Sequence, residues 1–86
     1  RARGERTPVP VLDPDAQALF ERLRARRAEI AKQKGTPAYV VAHDRTLVDM
    51  AHKHPRTRDG LLCVHGMGPA RVEQYGDRFL EVLVEA

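Results

Sequence analysis

The residues best suited to chemistry in this chain cluster around Leu62-Cys63-Val64-His65-Gly66-Met67-Gly68-Pro69-Ala70. Two glycines flank one hydrophobic residue, and a proline and a small residue then open a helix. Glycine permits backbone conformations closed to other residues. Met67 is placed to plug the apolar gap between two helices. The first amides of the helix opening at Pro69 then face outward, where a phosphate can accept their N–H bonds. Gly66, Gly68 and, one turn on, Arg71 are therefore candidate phosphate contacts. A tight interhelical connection with no ligand uses the same residues, and both readings stand.

Other chemistry finds less support. His52, His54, Cys63 and His65 suggest a metal site by composition, but His52 and His54 lie ~200° apart on a helix and cannot face one ion. Cys-x-His is not a usual zinc spacing, so no metal or other cofactor is expected. Cys63 reads as a small core residue. No Ser–His–Asp or Cys–His constellation and no Walker-type loop is readable, so catalysis is not expected of this segment. With one cysteine there is no internal disulfide, which fits a reducing compartment.

Charge is the next signal. The chain carries a formal +3 and a pI near 9.5, which hints at nucleic acid. Residues 1–12 hold three arginines against one glutamate, a net of +2, whereas residues 13–86 hold 12 basic and 11 acidic side chains, a net of +1. Within residues 21–34, Arg22, Arg24, Arg26, Arg27, Lys32 and Lys34 face only Glu21 and Glu29, a net of +4. Arg22 and Arg26 lie on one flank of that helix, Arg24 and Arg27 on the other. Arg22–Arg26 is a like-charge i,i+4 pair, slightly unfavourable alone, which hints at a neutralising partner. A solvated charged face and a DNA contact both fit. Residues 73–86 hold Glu73, Asp77, Glu81 and Glu85 against Arg78, a net of −3. This acidic helix, with Glu81 and Glu85, is suited to a basic protein surface. The two charged helices are expected to present opposite faces, one to DNA and one to protein.

The elements that must position these groups are all helical. Asp13-Pro14-Asp15 starts a helix with a cap, a proline at its first position and an acid at its positive end. Its stripe, Ala16, Leu19, Phe20, Leu23, Arg27 and Ile30, runs to about Lys34, where Gly35 and Pro37 stop it. Pro37–Val41 reads as one helical turn, because no partner strand exists. Asp44 is expected to cap the next helix, with Leu47, Met50 and Ala51 inward and His54-Pro55 at its end. Thr57 caps a short helix with Leu61, Leu62 and Val64 inward. Pro69 opens the last helix, whose stripe is Val72, Tyr75, Phe79, Leu80 and Leu83; Gly76 within it suggests close backbone packing or a kink. The expected fold is an all-α, compact bundle of about five helices including one short turn, with a helix-hairpin-helix-like Gly-Met-Gly connection. Residues 1–12, with Thr7-Pro8-Val9-Pro10, read as a flexible linker, residues 13–86 as the folded domain, and the start at Arg1 as a piece of a longer protein. No run of ~18 apolar residues is present.

The series Leu19-Phe20-x-x-Leu23-Arg24-x-x-Arg27, Thr36-Pro37-Ala38-Tyr39-Val40-Val41, Asp44-x-Thr46-Leu47-x-x-Met50-Ala51, Pro55, Leu62-x-Val64-x-Gly66-Met67-Gly68 and Tyr75-Gly76-x-x-Phe79-Leu80 resembles an HRDC (helicase and RNase D C-terminal) domain. The bacterial RecQ type is the nearer resemblance. It implies an accessory nucleic-acid-binding or regulatory domain of an ATP-dependent DNA helicase, cytoplasmic and nucleoid-associated. The implied partners are single-stranded or partial-duplex DNA and neighbouring domains of the parent helicase, without membrane or metal. The alternatives are a protein-interaction or intramolecular regulatory module with little DNA affinity of its own, and the equivalent domain of an RNase D-like exoribonuclease. The resemblance associates the tyrosine of the Pro-x-Tyr-Val-Val run, here Tyr39, with single-stranded DNA, together with nearby basic residues. A base stacked on such a ring is worth ~1–3 kcal/mol. Tyr39 follows a loop and reads equally as an exposed ring or as a core ring with its hydroxyl at the rim.

Overall fold

In the computed structural model, residues 13–85 are described; the linker expected at 1–12 lies outside the described residues. Helix α1 (Pro14–Lys34) begins where the Asp13 carboxylate accepts the Ala16 N–H at 2.8 Å, with Pro14 at the first position. It ends in a Schellman arrangement: Gly35 is left-handed (φ 70°), its N–H reaches the Lys32 carbonyl, and the Thr36 N–H reaches that of Ala31. Pro37 then admits only the single turn α2 (Ala38–Val41). Helices α3 (Asp44–Lys53), α4 (Arg58–Leu62) and α5 (Pro69–Glu85) complete the described chain, which contains no strand.

The buried faces follow the 3.6-residue stripes. Leu23 and Ile30 of α1, Leu47 and Met50 of α3, Leu61 of α4, and Phe79 and Leu83 of α5 are fully enclosed in one core. Helix α1 packs against α2, α3 and α5, and α4 lies on α5. Gly76 marks that close approach: a Cβ there would sit 3.2 Å from a Val72 methyl and 3.4 Å from a Leu61 methyl. Met67 is buried between the helices, as the hairpin requires. Gly66 has φ +83°, and a Cβ on it would collide with the Thr46 hydroxyl beneath the turn.

Several local expectations are corrected. Asp44 is the first residue of α3 and not its cap. His43 occupies the cap position without a side-chain bond, and Asp44 turns instead to Arg27 of α1. Leu62 is exposed because α4 ends there, with only Leu61 of its five residues reaching the core. Cys63, one residue on, is exposed too. Gly68 has no left-handed backbone and no neighbour within 4 Å of a notional Cβ, so Gly66 alone carries the conformational demand of the turn. Thr57 caps α4 as expected, accepting the Gly60 N–H at 3.0 Å.

Candidate nucleic-acid interface

The shortest helix controls the most distinctive surface. Val41 and Ala42 are buried and anchor α2 to the core. A four-residue turn held at that end cannot also bury its start. Tyr39 is consequently 61% exposed, the largest aromatic surface among the described residues. Its ring lies near-parallel to that of His43, with centroids 6.3 Å apart and 24° between planes, within the range of paired aromatic rings. Both rings border a shallow depression with Arg27, Ala38, Asp44 and Arg45.

A second depression also borders α2. Val40 meets Gly68, Pro69, Ala70, Arg71, Gln74 and Tyr75 there. Arg71 bridges the two elements: its guanidinium donates to the Gly66 carbonyl at 3.2 Å and, more weakly, to that of Val40 at 3.4 Å. Both partners are neutral, and Arg71 has no ion-pair partner among the described residues. Lys34, at the end of α1, holds its ammonium 5.8 Å from the centre of the Tyr75 ring, a cation–π distance. Tyr75 itself is core, as its stripe position required. Gly68 and Arg71 therefore lie beside Val40 of α2, Arg71 ties in Gly66, Lys34 is reached through the Tyr75 ring, and Tyr39 borders the other depression.

The remaining basic residues of α1 are placed differently. Arg22 pairs with Glu85 at 2.9 Å. Arg26 pairs with Glu81 at 2.7 Å and with Glu29 at 3.1 Å, and donates to the Arg78 carbonyl at 2.9 Å. The basic flank of α1 and the acidic flank of α5 thus face each other, which corrects the expectation of opposite faces. The repulsion within Arg22–Arg26 is relieved inside the fold by Glu81 and Glu85, and both carboxylates are engaged there. Arg27 is buried, with its guanidinium on Asp44 at 2.7 Å and on the Ala42 carbonyl at 3.0 Å, tying α1 to the junction of α2 and α3. Arg24 is exposed and only loosely paired with Glu21, at 3.7 Å.

Sequence reasoning missed His43 and Arg45. The available signal was Arg45 itself, a cation in the first turn of a helix, where the macrodipole disfavours one. It also missed the ties that hold the hairpin. Asp49 accepts the His65 N–H at 2.8 Å and pairs with Lys53 at 3.1 Å. Partial burial raises the Asp49 pKa, but the His65 N–H and the Lys53 ammonium outweigh it, and the net shift is downward. Arg58 forks onto Asp77; that hydrogen bonding and charge lower the Asp77 pKa and raise that of Arg58. Among the described residues, no group of three or more His, Cys, Asp or Glu is arranged to hold a metal ion. Among the same residues, no helix is long and apolar enough to cross a membrane.

Five short and long helices among the described residues, joined through a Gly-Met-Gly hairpin, define a small all-α domain. The HRDC domain profile matches residues 16–83. The chain belongs to the HRDC family. It is 46% identical over 63 residues to the ATP-dependent DNA helicase RecQ of Bacillus subtilis, covering 73% of this chain and 11% of that protein. It is 35% identical over 71 residues to the ATP-dependent DNA helicase UvrD2 of Mycobacterium bovis (83% of this chain, 10% of that one). It is 33% identical over 75 residues to the ribonuclease D of Pseudomonas paraeruginosa (87% and 20%). The chain thus spans about a tenth to a fifth of the length of these relatives. The solved D. radiodurans RecQ HRDC domain 3 superposes with a TM-score of 0.78 at 38% identity, covering 81% of this chain and 92% of that one.

Proposed function

We propose that this HRDC domain is an accessory DNA-binding domain of a RecQ-family helicase, holding single-stranded or partial-duplex DNA weakly and tuning the substrate choice of its parent. Residues 1–12 serve as its tether, and the parent works in the bacterial cytoplasm at the nucleoid. The carrying observation is the exposed Tyr39 ring on α2, with Lys34 on one neighbouring element and Arg71 on another. An exposed ring offers a stacking face to any base, and nearby cations serve the phosphates. Weak binding follows from the charge map, because Arg22, Arg26 and Arg27 spend their charge on Glu85, Glu81 and Asp44.

Fluorescence anisotropy with a labelled oligo-dT and a partial duplex tests this reading. Affinity should fall as salt rises, since phosphate contacts release counterions. Tyr39→Ala should weaken binding at least about fivefold, the lower end for one stacked base. Undetectable binding at low salt, or an unchanged Tyr39→Ala, overturns it.

The resemblance to ribonuclease D keeps one alternative parent, an RNA-processing exonuclease. A labelled oligo-rU bound more tightly than oligo-dT would favour it. A protein-docking role for Glu81 and Glu85 requires a partner able to displace Arg26 and Arg22.

A further inference from the structure

We propose that His43 and Arg45 extend the Tyr39 site into a two-ring stacking platform with its own phosphate clamp, sized for two successive nucleotides of single-stranded DNA. This inference rests on the DNA-binding reading above. It adds residues that neither the motif reading nor the hairpin brings in.

Three observations carry it. The first is the ring pair: Tyr39 and His43 are both exposed and near-parallel, with centroids 6.3 Å apart. The second is that the His43 side chain does no visible structural work. It sits at the cap position of α3 and makes no capping hydrogen bond there. The third is Arg45. It is exposed in the first turn of α3, where the helix dipole disfavours a cation, and has no ion-pair partner among the described residues. Asp44, which would otherwise offset it, is held by the buried Arg27. Arg45 borders the same depression as both rings. An arginine placed against helix polarity, beside two exposed rings, fits a strand whose bases stack while its phosphate meets the guanidinium.

The test is anisotropy with the 86-residue chain, using oligo-dT and the same oligonucleotide with abasic sites at its centre. His43→Ala should weaken oligo-dT binding about fivefold and leave binding to the abasic strand nearly unchanged. His43→Phe keeps a ring and should restore most of the loss. Arg45→Gln should weaken both strands alike and reduce the salt slope by about 0.7. Melting temperatures of the variants should match the parent, since neither side chain is buried. An unchanged His43→Ala, a His43→Phe as weak as His43→Ala, or an Arg45→Gln with an unaltered salt slope overturns the platform. If Tyr39→Ala weakens binding while His43→Ala and Arg45→Gln do not, the extension alone fails. If Tyr39→Ala is also without effect, the DNA-binding reading fails with it.

Discussion

The Arg26 guanidinium of α1 reaches across to α5 and meets Glu81 at 2.7 Å, while donating to the Arg78 carbonyl one turn earlier at 2.9 Å. Its side chain is only 22% exposed, against 46% for Arg22 in the neighbouring pair with Glu85. Water screens the first contact less. Arg26→Ala should therefore cost about 1 kcal/mol, and Arg22→Ala less than about 0.5 kcal/mol. For a domain of this size the first corresponds to a melting temperature lower by about 4–8 °C, readable by circular dichroism. Oligo-dT affinity should change less in either variant than in Tyr39→Ala.

Arg27 makes a more costly vacancy. Replacing it by Met keeps the apolar stem and deletes the groups that satisfy Asp44 and the buried Ala42 carbonyl. Asp44 retains solvent contact, so the loss falls short of a fully buried pair, at about 1–3 kcal/mol. Urea denaturation should show a lower midpoint with an unchanged slope. A midpoint equal to the parent's would mean that the α1–α3 tie contributes nothing.

The two hairpin glycines should respond oppositely. Gly66→Ala places a Cβ on a left-handed residue and against the Thr46 hydroxyl, and should destabilise by more than about 1 kcal/mol. Gly68→Ala meets no neighbour and no left-handed backbone, so its melting temperature should stay at or slightly above the parent's. A methyl there still stands where an anion would approach the start of α5. Weaker oligo-dT binding by a normally folded Gly68→Ala would assign the hairpin a phosphate contact, and unchanged binding would leave it a connection.

Acid should lower the stability of the folded chain. Asp49 has a pKa below its ordinary 3.8 in the folded chain, because the His65 N–H and Lys53 favour its charged form despite partial burial. A carboxylate depressed by folding contributes stability that is complete above the unfolded pKa and is lost as pH falls through the folded one. Asp77, held by Arg58, acts in the same direction. Stability measured between about pH 2 and 5 should fall with acid, and Asp49→Asn should make that fall shallower while lowering stability at neutral pH. An identical pH profile for the variant would remove Asp49 from this role.

Most helix boundaries were legible in the sequence because their causes are local. Asp13 and Thr57 bond to N–H groups three residues on, and α1 closes where the Gly35 N–H reaches a carbonyl three residues back and the Thr36 N–H one five residues back. Such contacts are decided by side-chain type and backbone dihedrals before any packing occurs. The core stripes were legible for a similar reason, since Leu23, Leu47 and Phe79 recur at the helical period. The misplacements arose where α4, with five residues, is too short for periodicity to decide which side chains reach the core, and where Asp44 had a choice between capping and Arg27.

The charged surface was not legible, because its partners lie 55 and 63 positions apart. Charge runs identified which helices were basic and acidic, but only the packing of α1 on α5 determined that they face each other. Tyr39 is the same case. Its residue type and its place after a loop were plain, but its exposure depended on Val41 and Ala42 being taken into the core from the other end of α2. Local chemistry along the chain determined an all-α HRDC bundle. Tertiary packing decided which of its arginines are used internally and which cations and rings remain exposed on the surface.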